Sequence, residues 1–136
     1  MTFRTISWAM CFCLGFAVST ASAQVLKEVK VEAATRLDWE FAASGFGANA
    51  LKLPKDYDST QQRYHLFVPK NYAKEKAWPL IVFISPGDQP AGWSSWQKVC
   101  EAQGILFCSP FKAGNNCPAG QRTRIVLDML DDVRRH

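Results

Sequence analysis

The sequence predicts an α/β fold, with parallel strands joined by crossover helices, from two observations. Two short apolar runs, 80-LIVFI-84 and 105-ILFC-108, do not alternate with polar residues, and each stops at Ser-Pro. Continuous apolar strands are those covered on both faces, as in parallel sheets. Each run is followed by residues at helical spacing: first Trp96, Val99, Cys100 and Gln103, then the apolar stripe of Ile125, Val126, Met129, Leu130 and Val133. Strand, helix, strand, helix is the order of a sheet built from crossover units.

The remaining elements follow in chain order. Residues 24–34 are weakly patterned and read as an N-terminal lead with no assigned element. In 35-TRLDWEFAA-43, Leu37, Trp39 and Phe41 alternate with Arg36, Asp38 and Glu40, which predicts a half-buried strand broken at Gly45-Phe46-Gly47. In 62-QRYHLFVPKNY-72, Tyr64, Leu66 and Val68 fall on one strand face and Arg63, His65 and Phe67 on the other; Pro69 ends the run. The polar residues 70–76 then lead into Leu80–Ile84, expected to be a central strand. Ser94-x-x-Gln97 fits a capping box at the start of the first helix, and Gly104 is placed to stop it.

The extreme N-terminus carries an address. Arg4, the apolar run from Ile6 to Val18 and the small residues Ala21-Ser22-Ala23 form the three parts of a secretory signal, with cleavage expected after Ala23. The apolar core is shorter than the ~18 residues that a membrane span needs, so no stable membrane anchor is expected. The reading is a secreted or periplasmic protein divided into a signal at 1–23, the lead at 24–34 and one domain at 35–136.

Cleavage leaves 15 Lys+Arg against 12 Asp+Glu, a formal charge of +3. The positive residues are scattered: Lys70, Lys74 and Lys76 flank a turn, while Arg122, Arg124, Arg134 and Arg135 fall on the last helix. A solvated face accounts for them, and no nucleic-acid partner is expected, since that would want a clustered stripe. Cys11 and Cys13 leave with the signal. The remaining Cys100, Cys108 and Cys117 have no zinc-ligand spacing, and no metal or cofactor motif occurs. In an oxidising compartment Cys108 would pair with Cys117, or one of them with a cysteine elsewhere.

The loop 85-SPGDQPAGW-93 follows the first continuous strand, and ligands in open α/β sheets bind beyond the carboxyl ends of strands. Glycine lets main-chain amides approach a ligand closely, as an oxyanion hole requires; Pro86 has no N–H, leaving Gly87 or Asp88 as the donor.

The pairing of 63-RYHLFVPKNY-72 with 78-WPLIVFISPGD-88 resembles secreted α/β-hydrolase esterases of the poly(3-hydroxybutyrate) depolymerase, feruloyl esterase and phospholipase/carboxylesterase type. Their counterparts are a Y-x-L-x-V-P-x-x-Y strand and a P-L-x-V-x-L-H-G strand. The resemblance covers roughly residues 35–136 and implies the front portion of an α/β-hydrolase sheet, antiparallel at its start and parallel after. It also implies a serine ester hydrolase acting on an ester or polyester by acyl transfer. Ser85-Pro86 stands where the family has His-Gly; ungapped register gives the oxyanion amide to Gly87, and a one-residue slip gives it to Asp88. The family's G-x-S-x-G elbow is absent from the 136 residues, as are the acid and histidine that follow it, so the chain reads as an N-terminal portion with no catalytic triad of its own.

Other chemistry-bearing residues have plainer readings. Ser85, Ser94, Ser95 and Ser109 lack the elbow sequence, and two of them suit helix capping. His65 is mid-strand and His136 terminal. Asp131 and Asp132 are adjacent on a helix and do not share a face, which argues against a paired-carboxylate site. Trp93, as a substrate contact, and Trp96 would support the competing reading of a secreted, non-catalytic polymer- or carbohydrate-binding domain.

Overall fold

The computed structural model describes residues 26–136; the expected signal at 1–23 lies outside them. In chain order the elements are β1 (Lys27–Lys30), α1 (Trp39–Ser44), β2 (Arg63–Phe67), β3 (Leu80–Val82), α2 (Trp93–Gln103), β4 (Leu106–Pro110) and α3 (Ala119–Arg135). Two 3₁₀ turns, Ala48–Leu51 and Ser59–Gln61, lie between α1 and β2. The strands form one mixed sheet in the order β1-β2-β4-β3. β1 and β2 are antiparallel, β2 and β4 are antiparallel, and β3 runs parallel to β4. The fold is therefore α/β, with α2 as the crossover between two parallel strands.

Three expectations about elements are corrected. The expected strand at 35–43 is helix α1, because Asp38 caps it by accepting from the Phe41 amide at 2.9 Å. That local bond outweighs the alternation, and Phe41 is left 80% exposed rather than facing a core. The true first strand, β1, lies in the segment read as a lead; its register against β2 pairs Val29 with Tyr64. β3 is an edge strand among the described residues, whereas β4 is central and buried along its whole length. A continuous apolar run reports two covered faces, not a position in the strand order. Leu80 and Val82 pack toward one core and Ile81 and Phe83 toward the other.

Those two cores sit on opposite faces of the sheet. Val31, Tyr64, Cys108 and Met129 form one, beneath α3. Phe67, Cys100 and Phe107 form the other, beneath α2. β2 supplies both because successive side chains of a strand point to opposite faces. Full burial of one such large side chain stabilises by about 1.5–3 kcal/mol.

Sequence spacing carries no mark of the burial of the acidic residues of α3. Asp128, Asp131 and Asp132 are all buried, and each clasps the chain that follows β1. Asp132 accepts from the Glu32 amide at 2.9 Å, Asp128 from the Thr35 amide at 2.8 Å, and Asp131 from the Arg36 amide at 2.9 Å. Arg124 and Arg135, expected on a solvated face, are instead largely covered and pair with Asp128 and Asp131 at 3.0 and 2.6 Å. Asp131 and Asp132 hold different main-chain amides, those of Arg36 and Glu32, and share Arg135, which lies 2.6 Å from Asp131 and 3.8 Å from Asp132.

Candidate functional site

The chain beyond the carboxyl ends of β3 and β4 builds the candidate site. Helix α2 begins directly after the loop, with Gly92 as its N-cap at φ 85° and no side-chain capping bond. A Cβ on Gly92 would lie 2.6 Å from the Phe83 ring, so both conformation and space require glycine. The expected Ser94-x-x-Gln97 capping box does not form; Gln97 instead donates to Glu101 at 3.0 Å. Gly104 ends α2 in the left-handed conformation, as its position predicts.

The loop is fastened to the segment after β4. The Asn115 amide donates to the Pro86 carbonyl at 2.8 Å and the Lys112 amide to the Asp88 carbonyl at 2.7 Å. The Ala91 amide donates to the buried Ser109 hydroxyl at 3.2 Å. Lys112 holds φ 57°, unusual for a residue with a side chain, in making its bond. Gly114 lies so close to the loop that a Cβ there would be 2.7 Å from the Gly87 carbonyl carbon. Two loops thus form one unit.

Within that unit the two candidate amides differ. The Gly87 N–H is engaged by the Ser85 hydroxyl at 3.2 Å. The Asp88 N–H has no acceptor among the described residues, and Asp88 is exposed. Beside it opens a cleft of about 350 Å³ lined by Asp88, Lys112, Asn116, Cys117, Pro118 and Gln121. Sequence reasoning left Gly87 and Asp88 open because the Ser85 hydroxyl, which distinguishes them, acts through a turn that spacing alone does not reveal.

The other expected site residues are placed as follows. Trp93 is half-buried against the α2 core, its ring 4.5 Å from Phe67 and 5.3 Å from Phe107, centroid to centroid. Trp96 is 37% exposed on the same helix. Cys108 and Cys117 do not form the expected bridge; Cys100, Cys108 and Cys117 are all free thiols. Cys108 faces the α3 core and burial pushes its thiol up to about 12, while Cys117 borders the loop cleft. Of the serines, Ser85 and Ser109 are buried and spent on loop amides, while Ser94 and Ser95 are exposed and neither caps α2. His65 stacks edge-on against Phe111 at 5.2 Å, and His136 lies 3.6 Å from Glu32. His65 on β2 and Ser109 on β4 are cross-strand neighbours, but the Ser109 hydroxyl accepts from the Ala91 amide and the His65 ring packs against Phe111. No group of three or more His, Cys, Asp or Glu side chains there could hold a metal, and no helix among them is long and apolar enough to cross a membrane.

No family model, no curated protein and no solved structure matches the chain.

Proposed function

We propose that the chain supplies the oxyanion-binding part of an exported serine ester hydrolase, with the nucleophile contributed from outside these 136 residues. The observation that carries this reading is the open Asp88 amide, presented by a fastened loop at the carboxyl end of a parallel strand pair. Such an amide stabilises the charge that develops on a carbonyl oxygen as a serine attacks an ester, and again as water releases the acyl group. The α/β architecture with an antiparallel start agrees with the front of an α/β-hydrolase sheet. Gly87, bonded to Ser85, serves the loop's shape, and Asp88 provides the donor.

The test uses a fluorophosphonate probe, which labels activated serines, and a small-ester assay on the protein that carries the nucleophile. The 136-residue chain alone should take no label on Ser85, Ser94, Ser95 or Ser109. In the active protein Asp88→Ala keeps the amide and should keep most activity, whereas Asp88→Pro removes it and should lower kcat by about 10²–10³. A folded Asp88→Pro variant with parental kcat would overturn the reading, as would label on a serine of the isolated chain.

A further inference from the structure

A second cleft, of about 250 Å³, opens at the opposite end of the sheet from the Asp88 loop. Its floor is apolar: Leu80 and Leu106, the first residues of β3 and β4, with Val133 from the last turn of α3. Its wall is aromatic and fixed in place. The Trp78 indole N–H donates to the Ala73 carbonyl at 2.7 Å, and the Trp78 ring lies 5.6 Å from that of Tyr72. Gly104 backs the indole, since a Cβ there would be 3.3 Å from the Trp78 ring.

The rim is basic. Lys74, Lys76, Arg134 and His136 line the cleft, and no carboxylate side chain does. Glu32 lies 3.6 Å from His136, and Glu75, between the two lysines in sequence, does not line the cleft and makes no ion pair among the described residues. Lys74, Lys76 and Arg134 make no ion pair among the described residues. Arg134 has a structural role available, as a cation in the last turn of a helix. Lys74 and Lys76 come from the loop before β3 and are exposed beside the apolar floor. Unpaired cations around an apolar floor suit a ligand that is anionic at one end and apolar at the other.

We propose that this cleft binds a small monocarboxylate with an aromatic or short aliphatic body, the body on Leu80, Leu106 and Val133 against Trp78, and the carboxylate at Lys74, Lys76 and Arg134. The site is separate from the Asp88 loop and does not depend on the ester-hydrolase reading.

The experiment is a titration of the isotope-labelled chain with benzoate, followed through the Trp78 indole N–H resonance, assigned by its loss in Trp78→Phe. Benzamide, of the same shape without the charge, is the control. A saturable shift at Trp78 is expected with benzoate, at least tenfold weaker with benzamide. Lys74→Ala with Lys76→Ala should weaken benzoate binding about threefold per charge removed, with the rest of the spectrum unchanged. No saturable shift at Trp78 overturns the proposal. So does equal binding of benzamide, which would make the cleft an apolar crevice only, or unaltered affinity in the folded double variant, which would leave the cations without a role.

Discussion

The Tyr64 hydroxyl donates to Asp132 at 2.9 Å with both residues fully buried, joining the second strand to the last helix across 68 positions of sequence. Asp132 also accepts from the Glu32 amide just after β1, so one carboxylate ties β1, β2 and α3 together. Burial and the adjoining carboxylate push the Tyr64 phenol well above its ordinary range, which keeps it a donor near neutral pH.

Tyr64→Phe should therefore cost more than a neutral hydrogen bond. The phenyl ring keeps its packing, but the buried Asp132 carboxylate loses a donor, and such losses cost about 1–3 kcal/mol. Urea denaturation should show a lower midpoint with an unchanged slope. A midpoint equal to the parent's would mean that Asp132 is satisfied without the phenol.

Asp131 gives the fold a dependence on acid. The Arg36 hydrogen bonds, opposed by burial and aided by Arg135, hold its carboxyl well below the usual carboxylate range. A depressed folded pKa contributes stability that is present above the unfolded value of about 3.9 and lost as pH falls toward the folded value. Between pH 5 and pH 2, denaturant midpoints should fall, and Asp131→Asn should flatten that fall. An unaltered slope in the variant would assign the acid sensitivity to other groups.

How much of this was legible in sequence depends on whether the signal was local. The apolar runs at Leu80 and Ile105 and the stripe on α3 report burial through their own spacing, so β3, β4, α2 and α3 were readable. So were the stop at Gly104 and the two faces of β2. The strand order was not, because an edge strand flanked by two helices carries the same apolar run as a central one. The burial of the α3 aspartates was not legible because the groups that satisfy them, the amides of Glu32, Thr35 and Arg36, lie more than 90 positions away. Main-chain donors leave no mark in a sequence. The engagement of the Gly87 amide was hidden in a similar way, since the Ser85 hydroxyl was visible but its bond was not.

Close approach at Gly120 sets a further limit. A Cβ there would sit 1.5 Å from the Ala50 carbonyl oxygen, where the turn at 48–51 crosses α3. Backbone cannot yield as a flexible side chain does. Gly120→Ala should separate the turn from α3 and cost on the order of 1–3 kcal/mol, as overpacking does, despite alanine's better helix propensity. A Gly120→Ala protein with a parental melting temperature would show that the turn is free to move.

The three thiols should differ in reactivity in the native protein. Cys108 is fully buried in the central strand, and with its pKa raised to about 12 it forms almost no thiolate near neutral pH. Cys100 is equally inaccessible on the inner face of α2. Cys117 is half-buried at the loop cleft; its thiol is raised by burial, but Arg122 opposes that shift. In protein prepared without residues 1–23, and so without Cys11 and Cys13, Ellman's reagent under native conditions should consume one thiol, mapped to Cys117 by peptide mass, and all three only after unfolding. Cys117→Ser should abolish the native reaction while leaving two thiols reactive in denaturant. If instead native and denatured protein each yield a single thiol without reductant, a disulfide has formed, and the packing of Cys108 against Tyr64 and Met129 would have to be rearranged to reach it.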